Sequence, residues 1–395
     1  MGPVPSVPFP TVTSQDAYLI LNAAEGIGPR RSQALLARFG SPEAVFGATA
    51  AELATAEGIG TKSAESLLRT AESFSPGDER DRAAACGAHV VTPADAEYPA
   101  PFREIASPPL ALYVRGEILA SDAKSVAVVG TRSPSHYGVS QADRIAFQLA
   151  RSGLSVVSGC ARGIDTAAHR GALKAGGRTV AFIGAALDRF YPPENAALAD
   201  EIASSGAVAS EFRMGLGPSP STFPNRNRLI AGLALGTLVV EAGERSGSLQ
   251  TAHHALDQGK TVMALPGRVD TDTARGPNAL IREGAVLVRD GRDVLEEFAF
   301  ALPEFAPKAK TSALDPRRAL DVSEDEKKVL MALWKEKELP VDEVIRATGL
   351  AASQLLPLVL RMEMKKLVRM RPARRLALAE GLDALAEPDF GGTPE

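Results

Sequence analysis

Short apolar runs that alternate with helical patterns are the feature that most limits the folds open to this 395-residue chain. The runs are rich in β-branched residues, and they lie at 125–129, 154–158, 178–183, 207–211, 237–241, 261–265 and 285–288. Helical patterns at 138–152 and 164–175 separate the first three runs. Apolar strands separated by helices are typical of parallel sheets that are buried on both faces. We therefore predict an α/β domain with a mostly parallel sheet over residues 107–300.

Glycine-rich turns follow several of these runs, at the sheet edge where ligands bind in open α/β folds. Gly130-Thr-Arg132 ends one run and predicts a small anion-binding turn. Ser158-Gly-Cys-Ala-Arg-Gly163 ends the next and leads into a helix, whose N-terminus favours anions. Ser246-Gly-Ser248 opens a third helix, with Ser246 as the expected N-cap. The candidate residues in these turns are Gly130, Thr131, Arg132, Ser158, Gly159, Arg162, Gly163, Ser246, Gly247 and Ser248.

The hexapeptide Phe223-Pro-Asn-Arg-Asn-Arg228 places three long polar side chains directly before an apolar run. Planar guanidinium groups suit phosphate oxygens, so we expect Arg226, Asn227 and Arg228 to hold phosphate. Together with the arginines of the turns they would form a row of phosphate sites, and bases could stack on Phe223. Such a shallow row fits a single strand better than a duplex. The alternative, a surface turn whose arginines pair with nearby acids, stays open.

Nucleotide cofactors and metals find little support in the sequence. The chain has neither the Gly-Lys-Ser/Thr of a phosphate-binding loop nor the G-x-G-x-x-G of dinucleotide-binding folds. Asp165 and His169 lie four residues apart, but a capping carboxylate and a packed imidazole are the favoured interpretation. With two cysteines in the chain, Cys160 is interpreted as a small packing residue. We expect no cofactor.

An internal repeat marks the N-terminal region, predicted as a helical domain over residues 12–76. Ala24-Glu-Gly-Ile-Gly28 recurs as Ala56-Glu-Gly-Ile-Gly60, and each copy precedes an amphipathic helix. Gly-Ile-Gly between helices is the pattern of a helix-hairpin-helix, whose glycines let the backbone approach a phosphate. The hairpins could contact DNA, or they could be tight turns in a packing or protein-contact module.

The C-terminal region is predicted to contain a Pro- and Ala-rich linker, residues 301–319, and a winged-helix-like domain, residues 320–385. Between Arg361 and Arg375 the sequence has seven basic residues and one acidic residue. This balance suits nucleic acid, but a winged helix that binds a protein partner is an equally good interpretation.

The overall net charge of −4 argues against general coating of nucleic acid, so any polyanion must be held by a local patch. The N-terminus lacks the pattern of a signal peptide. No apolar run reaches the ~18–20 residues of a membrane helix. We expect a cytoplasmic protein without membrane contact.

Several of these segments together carry a family resemblance. They include Val-Ala-Val-Val-Gly-Thr-Arg, Ser-Gly-Cys-Ala-Arg-Gly-Ile-Asp-Thr-Ala-Ala-His, Leu-Asp-Arg-Phe-Tyr-Pro-Pro-Glu-Asn and Phe-Pro-Asn-Arg-Asn-Arg-Leu-Ile-Ala-Gly. These segments occur in the same order in the DNA-processing protein A (DprA, also called Smf) family, which the chain resembles from Ser125 to about Val288. The resemblance implies an extended Rossmann-like fold, with a helical, SAM-like N-terminal domain and a winged-helix-like C-terminal domain.

The resemblance also implies a function. The family binds single-stranded DNA as a homodimer, protects incoming strands in natural transformation and delivers them to the RecA recombinase. Its DNA-binding arginine falls on Arg132 and its second basic residue on Arg162. The family's dimer segment falls around Gly276 to Leu287, with Asn278, Ile281 and Leu287 as candidate interface residues. Cys160 stands where the family usually has Leu, and Pro277 where it more often has Cys.

Two other classes of function stay open. Nucleoside-monophosphate phosphoribohydrolases use a related sheet, but they carry Pro-Gly-Gly-x-Gly-Thr where this chain has Glu244-Arg-Ser-Gly-Ser248. No acid–base pair is evident, so we do not expect an enzyme. The third class is a scaffold that binds only the recombinase.

Overall fold

The structure is a computed structural model that describes residues 12–299, 322–336, 338–365, 367–371 and 374–378. The chain divides into two compact units, residues 1–306 and residues 307–395. The predicted linker at 301–319 lies outside the described residues, as do 320–321 and 379–385 of the predicted C-terminal domain.

Helices build the first part of unit 1. Their bounds are α1 Ser14–Ala23, α2 Pro29–Phe39, α3 Pro42–Phe46, α4 Ala50–Leu53, α5 Thr61–Ser73 and α6 Pro76–Ala85. The two repeats form hairpins between helices. Gly26 and Gly58 lie in their turns with φ of 76° and 73°, a conformation that favours glycine. Gly28 and Gly60 follow as the N-caps of α2 and α5. The leucines of α2 and α5 pack inward, around Leu35 and Leu67, which confirms the predicted helix-hairpin-helix fold.

The remainder of unit 1 is built around a nine-stranded sheet. Its strands are β1 His89–Val91, β2 Leu112–Gly116, β3 Ser125–Val129, β4 Ser155–Ser158, β5 Thr179–Phe182, β6 Ala207–Ser210, β7 Gly236–Val239, β8 Thr261–Ala264 and β9 Val286–Leu287. Their order is β1-β2-β6-β5-β4-β3-β7-β8-β9, with β1 and β2 antiparallel to their neighbours and the other pairs parallel. The predicted mostly parallel sheet is confirmed.

The sheet begins earlier in the chain than residue 107, where the prediction started the central domain, because β1 lies at His89–Val91. Strand β1 has only three residues and is partly exposed at the sheet margin. Such a short edge strand lacks the long buried run that identifies the inner strands.

Helices cover both faces of the sheet. Their bounds are α7 Ala100–Glu104, α8 His136–Arg151, α9 Ile164–Lys174, α10 Ala196–Ser205, α11 Thr222–Leu233, α12 Gly247–Asp257, α13 Asp272–Arg282 and α14 Gly291–Glu297. Alternate residues of β3 point to opposite faces. Val126 and Val128 pack with α8 and α9, whereas Ala127 and Val129 pack with α11 and α12.

The strand order reverses between β3 and β7. From β3 the chain adds β4, β5 and β6 on one side, and it then returns to add β7, β8 and β9 on the other. A reversal of this kind leaves a crevice between the two loops that follow the neighbouring strands, and ligands of open α/β sheets bind there.

Unit 2 has the winged-helix arrangement. Its elements are α15 Glu324–Glu336, β10 Glu338–Pro340, α16 Val341–Thr348, α17 Ala352–Met364, β11 Val368–Arg371 and β12 Arg375–Leu378. The strands form an antiparallel sheet in the order β10-β12-β11, and Gly349 turns α16 toward α17 with φ of 68°. The predicted winged-helix-like fold is confirmed over the described residues.

Within the described ranges, no single helix is long and apolar enough to cross a membrane. Helices α16 and α17 meet that length and composition test only as a pair bent by 108°.

Candidate functional site

A cleft of about 490 Å³ opens at the point where the strand order reverses. Its walls are the loops after β3 and β4, the first turns of α11 and the N-terminus of α12. The residues that line it include Gly130, Thr131, Arg132, Ala161, Asp165, Phe223, Pro224, Arg226, Asn227, Ser246, Gly247 and Ser248. Turns that the sequence predicted separately therefore converge on one cleft.

The loop after β3 is held tightly against β7. The amide of Thr131 donates to the carbonyl oxygen of Glu241 at 2.7 Å, and the buried Glu241 carboxylate accepts from the amide and the hydroxyl of Ser135 at 2.9 and 2.5 Å. A Cβ at Gly130 would lie 2.5 Å from Ile164 and 2.8 Å from the Glu241 carbonyl. Only glycine fits there, and the loop is fixed in place before any ligand arrives.

Arg132 projects from this fixed loop into solvent. Its side chain is exposed, and its guanidinium carbon lies 4.8 Å from the centre of the Phe223 ring. No ion pair is found for Arg132 among the residues that the structure describes. A guanidinium that rests on an aromatic face keeps its donors directed outward, ready for an anion.

A second aromatic residue extends this arrangement along the rim of the cleft. The Tyr191 ring lies 6.1 Å from the Phe223 ring at an interplanar angle of 57°, and the Arg162 guanidinium lies 5.8 Å from the Tyr191 ring centre. We call Arg132, Phe223, Tyr191 and Arg162 the arginine–aromatic row. Sequence analysis did not single out Tyr191, although it stands in the Leu-Asp-Arg-Phe-Tyr-Pro-Pro-Glu-Asn segment that contributed to the family resemblance.

Arg162 has an acidic partner in the free protein. Its guanidinium forms an ion pair with the Glu194 carboxylate, and this contact lowers the pKa of Glu194 below its usual value. Both side chains are about half exposed, at 50% and 46%. Exposed ion pairs contribute little net stability, so a phosphate can replace the carboxylate.

Arg226 does not project from the rim as predicted. It is 4% exposed, and its guanidinium donates to the carbonyl oxygens of Gly159, at 2.7 Å, and Phe182. Its Nε donates to the side-chain oxygen of Asn227 at 3.1 Å. Burial lowers the pKa of Arg226, and the nearby Asp165 carboxylate opposes that shift. Arg226 therefore connects the ends of β4 and β5 beneath the cleft. There it contributes positive charge, but it does not present an exposed guanidinium group.

Arg228 and Asn227 are also used inside the protein. Arg228 is 8% exposed and forms a buried ion pair with Glu211. It therefore pairs with an acid, as the alternative interpretation has it, but in a buried helix and not in a surface turn. Burial raises the pKa of Glu211, and Arg228 works against that shift. The Asn227 amide donates to the carbonyl oxygen of Gly247 at 3.1 Å, which ties α11 to the start of α12.

The loop after β4 supports the site more than it contacts solvent. The Ser158 hydroxyl is buried and donates to the Val128 carbonyl at 2.6 Å. The Asp165 carboxylate accepts the amides of Gly159 and Ala161 at 3.2 and 3.3 Å. A Cβ at Gly163, whose φ is 80°, would lie 2.4 Å from the Thr131 carbonyl. The expected contact between Ser158 and phosphate is therefore replaced by an internal hydrogen bond.

The N-terminus of α12 closes the cleft on the β7 side. Ser246 caps the helix and accepts from the amide of Ser248 at 3.4 Å, and the hydroxyls of the two serines lie 2.7 Å apart. Gly247 and Ser248 line the cleft, so the positive end of the helix dipole adds to the favourable potential for anions.

His169 and Cys160 are packed inside the protein, as the sequence analysis expected. His169 is fully buried, its Nδ1 lies 2.7 Å from the Thr179 hydroxyl, and burial lowers its pKa to about 3. Burial also raises the pKa of the Cys160 thiol to about 12, so this cysteine is not a reactive thiolate. Within the described residues, no group of three or more His, Cys, Asp or Glu side chains could hold a metal.

The candidate dimer residues differ in exposure. Leu287, on the edge strand β9, is 45% exposed. Asn278 hydrogen bonds internally, to the amide and carbonyl of Gly267 at 3.2 and 3.0 Å, and Ile281 packs partly on the core.

Comparison with known proteins agrees with this fold and identifies the family. The family model of DNA recombination-mediator protein A matches residues 89–299, the SAM-like helix-hairpin-helix tandem matches residues 18–73, and the DprA winged helix domain matches residues 312–374. The first of these models covers more than half of the chain, including both walls of the cleft. The chain belongs to the DNA recombination-mediator protein A family.

Individual relatives give the same assignment. The chain is 31% identical to Protein Smf from Synechocystis over 392 residues, which cover 92% of this chain and 98% of the relative. It is 44% identical to the DNA processing protein DprA of Streptococcus pneumoniae over 203 residues, 51% of this chain and 72% of that protein. The crystal structure of that DprA aligns with a TM-score of 0.64 at 33% identity, covering 73% of this chain and 99% of that one.

Proposed function

We propose that this protein binds single-stranded DNA along the arginine–aromatic row and in the cleft below it. The observation that carries the proposal is Arg132, which is exposed, free of ion pairs within the described residues and stacked on Phe223. Relatives at 31–44% identity named Smf or DNA processing protein DprA support a role in DNA processing.

A single strand suits the row better than a duplex does. The row alternates cations with rings, so phosphates can bind the arginines while unstacked bases meet Phe223 or Tyr191. Each such stack contributes about 1–3 kcal/mol and tolerates any base. In a duplex the bases are stacked on one another, and their faces cannot reach the rings. Binding should therefore depend weakly on sequence, because phosphate contacts carry no sequence information.

The wider role that the family resemblance implies is part of the proposal. In it the protein is a cytoplasmic mediator that protects incoming strands in natural transformation and hands them to the RecA recombinase. It acts as a homodimer, and the exposed Leu287 on the edge strand β9 supports this segment as the contact between subunits. Covering an edge strand also removes unpaired backbone groups from solvent.

A nucleotide-hydrolysing enzyme is the competing proposal, since a cleft at a strand-order reversal is where nucleotides bind in related sheets. The buried carboxylates beside the cleft count against it. Asp165 accepts the amides of the loop after β4, and Glu241 accepts from Ser135, so both are occupied in holding the loops. A general acid or base needs a free carboxyl within reach of substrate.

Binding and hydrolysis assays on the full chain separate the two proposals. We expect fluorescence anisotropy to give tighter binding of a labelled oligodeoxythymidylate than of a duplex of equal length, with no release of base or phosphate from nucleoside monophosphates. Equal affinity for the two DNAs would contradict the single-strand proposal, and turnover of a monophosphate would favour the enzyme.

A further inference from the structure

A second pocket of about 210 Å³ lies in unit 1 between the first hairpin and the central sheet. On the hairpin side it is lined by Asn22 and Gly28, and on the sheet side by Glu211, Phe212 and Arg213, which follow β6. We call it the junction pocket. It is distinct from the cleft, because the two share no lining residue.

The junction pocket and the cleft are nevertheless lined by consecutive residues of one helix. Phe223 and Pro224 line the cleft, and the next residue, Asn225, lines the junction pocket. All three belong to the start of α11. An α-helix is only about 10–12 Å across with its side chains, so a strand that passes around this helix end reaches one site from the other.

The walls of the junction pocket are already in place. Beyond Arg213, the amide of Met214 donates to the buried Glu79 carboxylate at 2.7 Å, and the carbonyl of Leu216 accepts the amide of Ala186 at 2.9 Å. On the other side, the Asn22 amide donates to the carbonyl oxygen of Glu211 at 3.0 Å. The pocket is therefore not a gap between loosely associated parts.

The lining combines the groups that a nucleotide needs. Arg213 is exposed, and no ion pair is found for it in the described part of the chain. Phe212 and Leu216 provide apolar surface.

The two hairpins of the repeat are not equivalent. Gly28 of the first hairpin lines the junction pocket, whereas Gly60, at the same position of the second, does not. Both residues are helix N-caps, with φ of −85° and −94°, and a Cβ at either would have no neighbour within 4 Å. A larger side chain can therefore be placed at either position without strain, and only the one at residue 28 would enter the pocket.

We propose that the junction pocket is an extension of the DNA site. It takes the nucleotide that follows the strand held in the cleft, with its phosphate on Arg213 and its base against Phe212. The first hairpin, and not the second, thereby contributes to DNA binding. This inference rests on the proposed binding of single-stranded DNA at the cleft.

The test is a length series of labelled oligodeoxythymidylates, measured by fluorescence anisotropy with the full chain. For the unmodified protein, affinity should rise with length until the junction pocket is filled. In Gly28→Phe it should stop rising about one or two nucleotides earlier, while the shortest oligonucleotides bind as before. Gly60→Phe is the matched control and should follow the unmodified protein. Arg213→Ala should lower affinity for the longer oligonucleotides alone and reduce their salt slope by about 0.7.

The outcomes separate this inference from the proposal beneath it. Identical length profiles for Gly28→Phe and the unmodified protein would overturn the extension while leaving the cleft intact. The same shortening in Gly60→Phe would also overturn it, because the effect would then belong to the helical domain in general. Failure of the unmodified protein to bind any length would refute the cleft itself.

Discussion

Replacing both rim arginines, as Arg132→Ala with Arg162→Ala, tests the phosphate contacts directly. For a single strand the slope of log K against log salt changes by about 0.7 for each phosphate contact. Arg132 has no ion pair to give up among the described residues, so its loss should reduce the slope by the full ~0.7. A charged hydrogen bond is worth about 1.5–3 kcal/mol, so affinity should fall roughly tenfold or more.

Arg162 should contribute less than Arg132. In the free protein Arg162 is paired with Glu194. When a phosphate displaces the Glu194 carboxylate from Arg162, that carboxylate is left to attract a cation from solution. Uptake of a cation offsets part of the counterion release, so the double variant should reduce the slope by between about 0.7 and about 1.4.

The assay is a titration of a labelled oligodeoxythymidylate at several salt concentrations, with the two single variants measured alongside the double. Arg151→Ala is a suitable control. This exposed arginine ends α8 shortly before β4 begins, near the amino ends of the strands, whereas the cleft lies at their carboxyl ends. An unchanged slope in the double variant, or an equal change in Arg151→Ala, would refute the assignment of the rim as the phosphate site.

Three further expectations concern the neighbours of these arginines. Glu194→Gln should tighten binding of single strands at low salt, because Arg162 no longer exchanges an acidic partner for phosphate; weaker binding in the same titration would count against that competition. Phe223→Leu and Tyr191→Leu should each weaken binding by about 1–3 kcal/mol with little change in salt slope, and a slope change equal to that of an arginine variant would contradict stacking. Arg228→Ala should lower the free energy of unfolding in urea by about 3–5 kcal/mol, yet retain DNA affinity while folded; lost affinity in the folded variant would return this residue to the contact surface.

The central sheet and its cleft could be predicted because their signals are local. The inner strands are buried on both faces, so they appear as short continuous apolar runs, and Gly130 and Gly163 occupy positions where a Cβ would meet backbone. Strand ends in a parallel sheet share one edge, so the turns that follow them were expected to converge. The loop after β3 and the N-terminus of α12 do meet at the cleft, but from the region after β4 only Ala161 and Asp165 line it.

The directions of the arginines could not be predicted in the same way. Arg226 and Arg228 lie in a helix that is covered by the sheet on one side and by other helices on the other, and their partners come from distant segments. Glu211 precedes Arg228 by 17 residues, and the carbonyl of Gly159 precedes Arg226 by 67. A hexapeptide rich in polar groups predicts that these groups are bound, but it does not indicate whether the partner is a phosphate or the protein itself.

Tyr191 illustrates the opposite case, a contact residue that sequence reasoning passed over. Its segment, between β5 and α10, has no strand or helix period and contains three consecutive aromatic or proline residues after Phe190. Tyr191 can be recognised as part of the site only from the fold, which places its ring 6.1 Å from the Phe223 ring.

Photocrosslinking tests the central claim most directly, because it reports where a bound strand lies. An oligodeoxythymidylate carrying 5-iododeoxyuridine would be irradiated with the full chain and the modified peptides identified by mass spectrometry. We predict crosslinks at Phe223 and Tyr191, reduced in the double variant of Arg132 and Arg162. Efficient crosslinking elsewhere in the chain, with none at these two rings, would contradict a strand bound along the arginine–aromatic row.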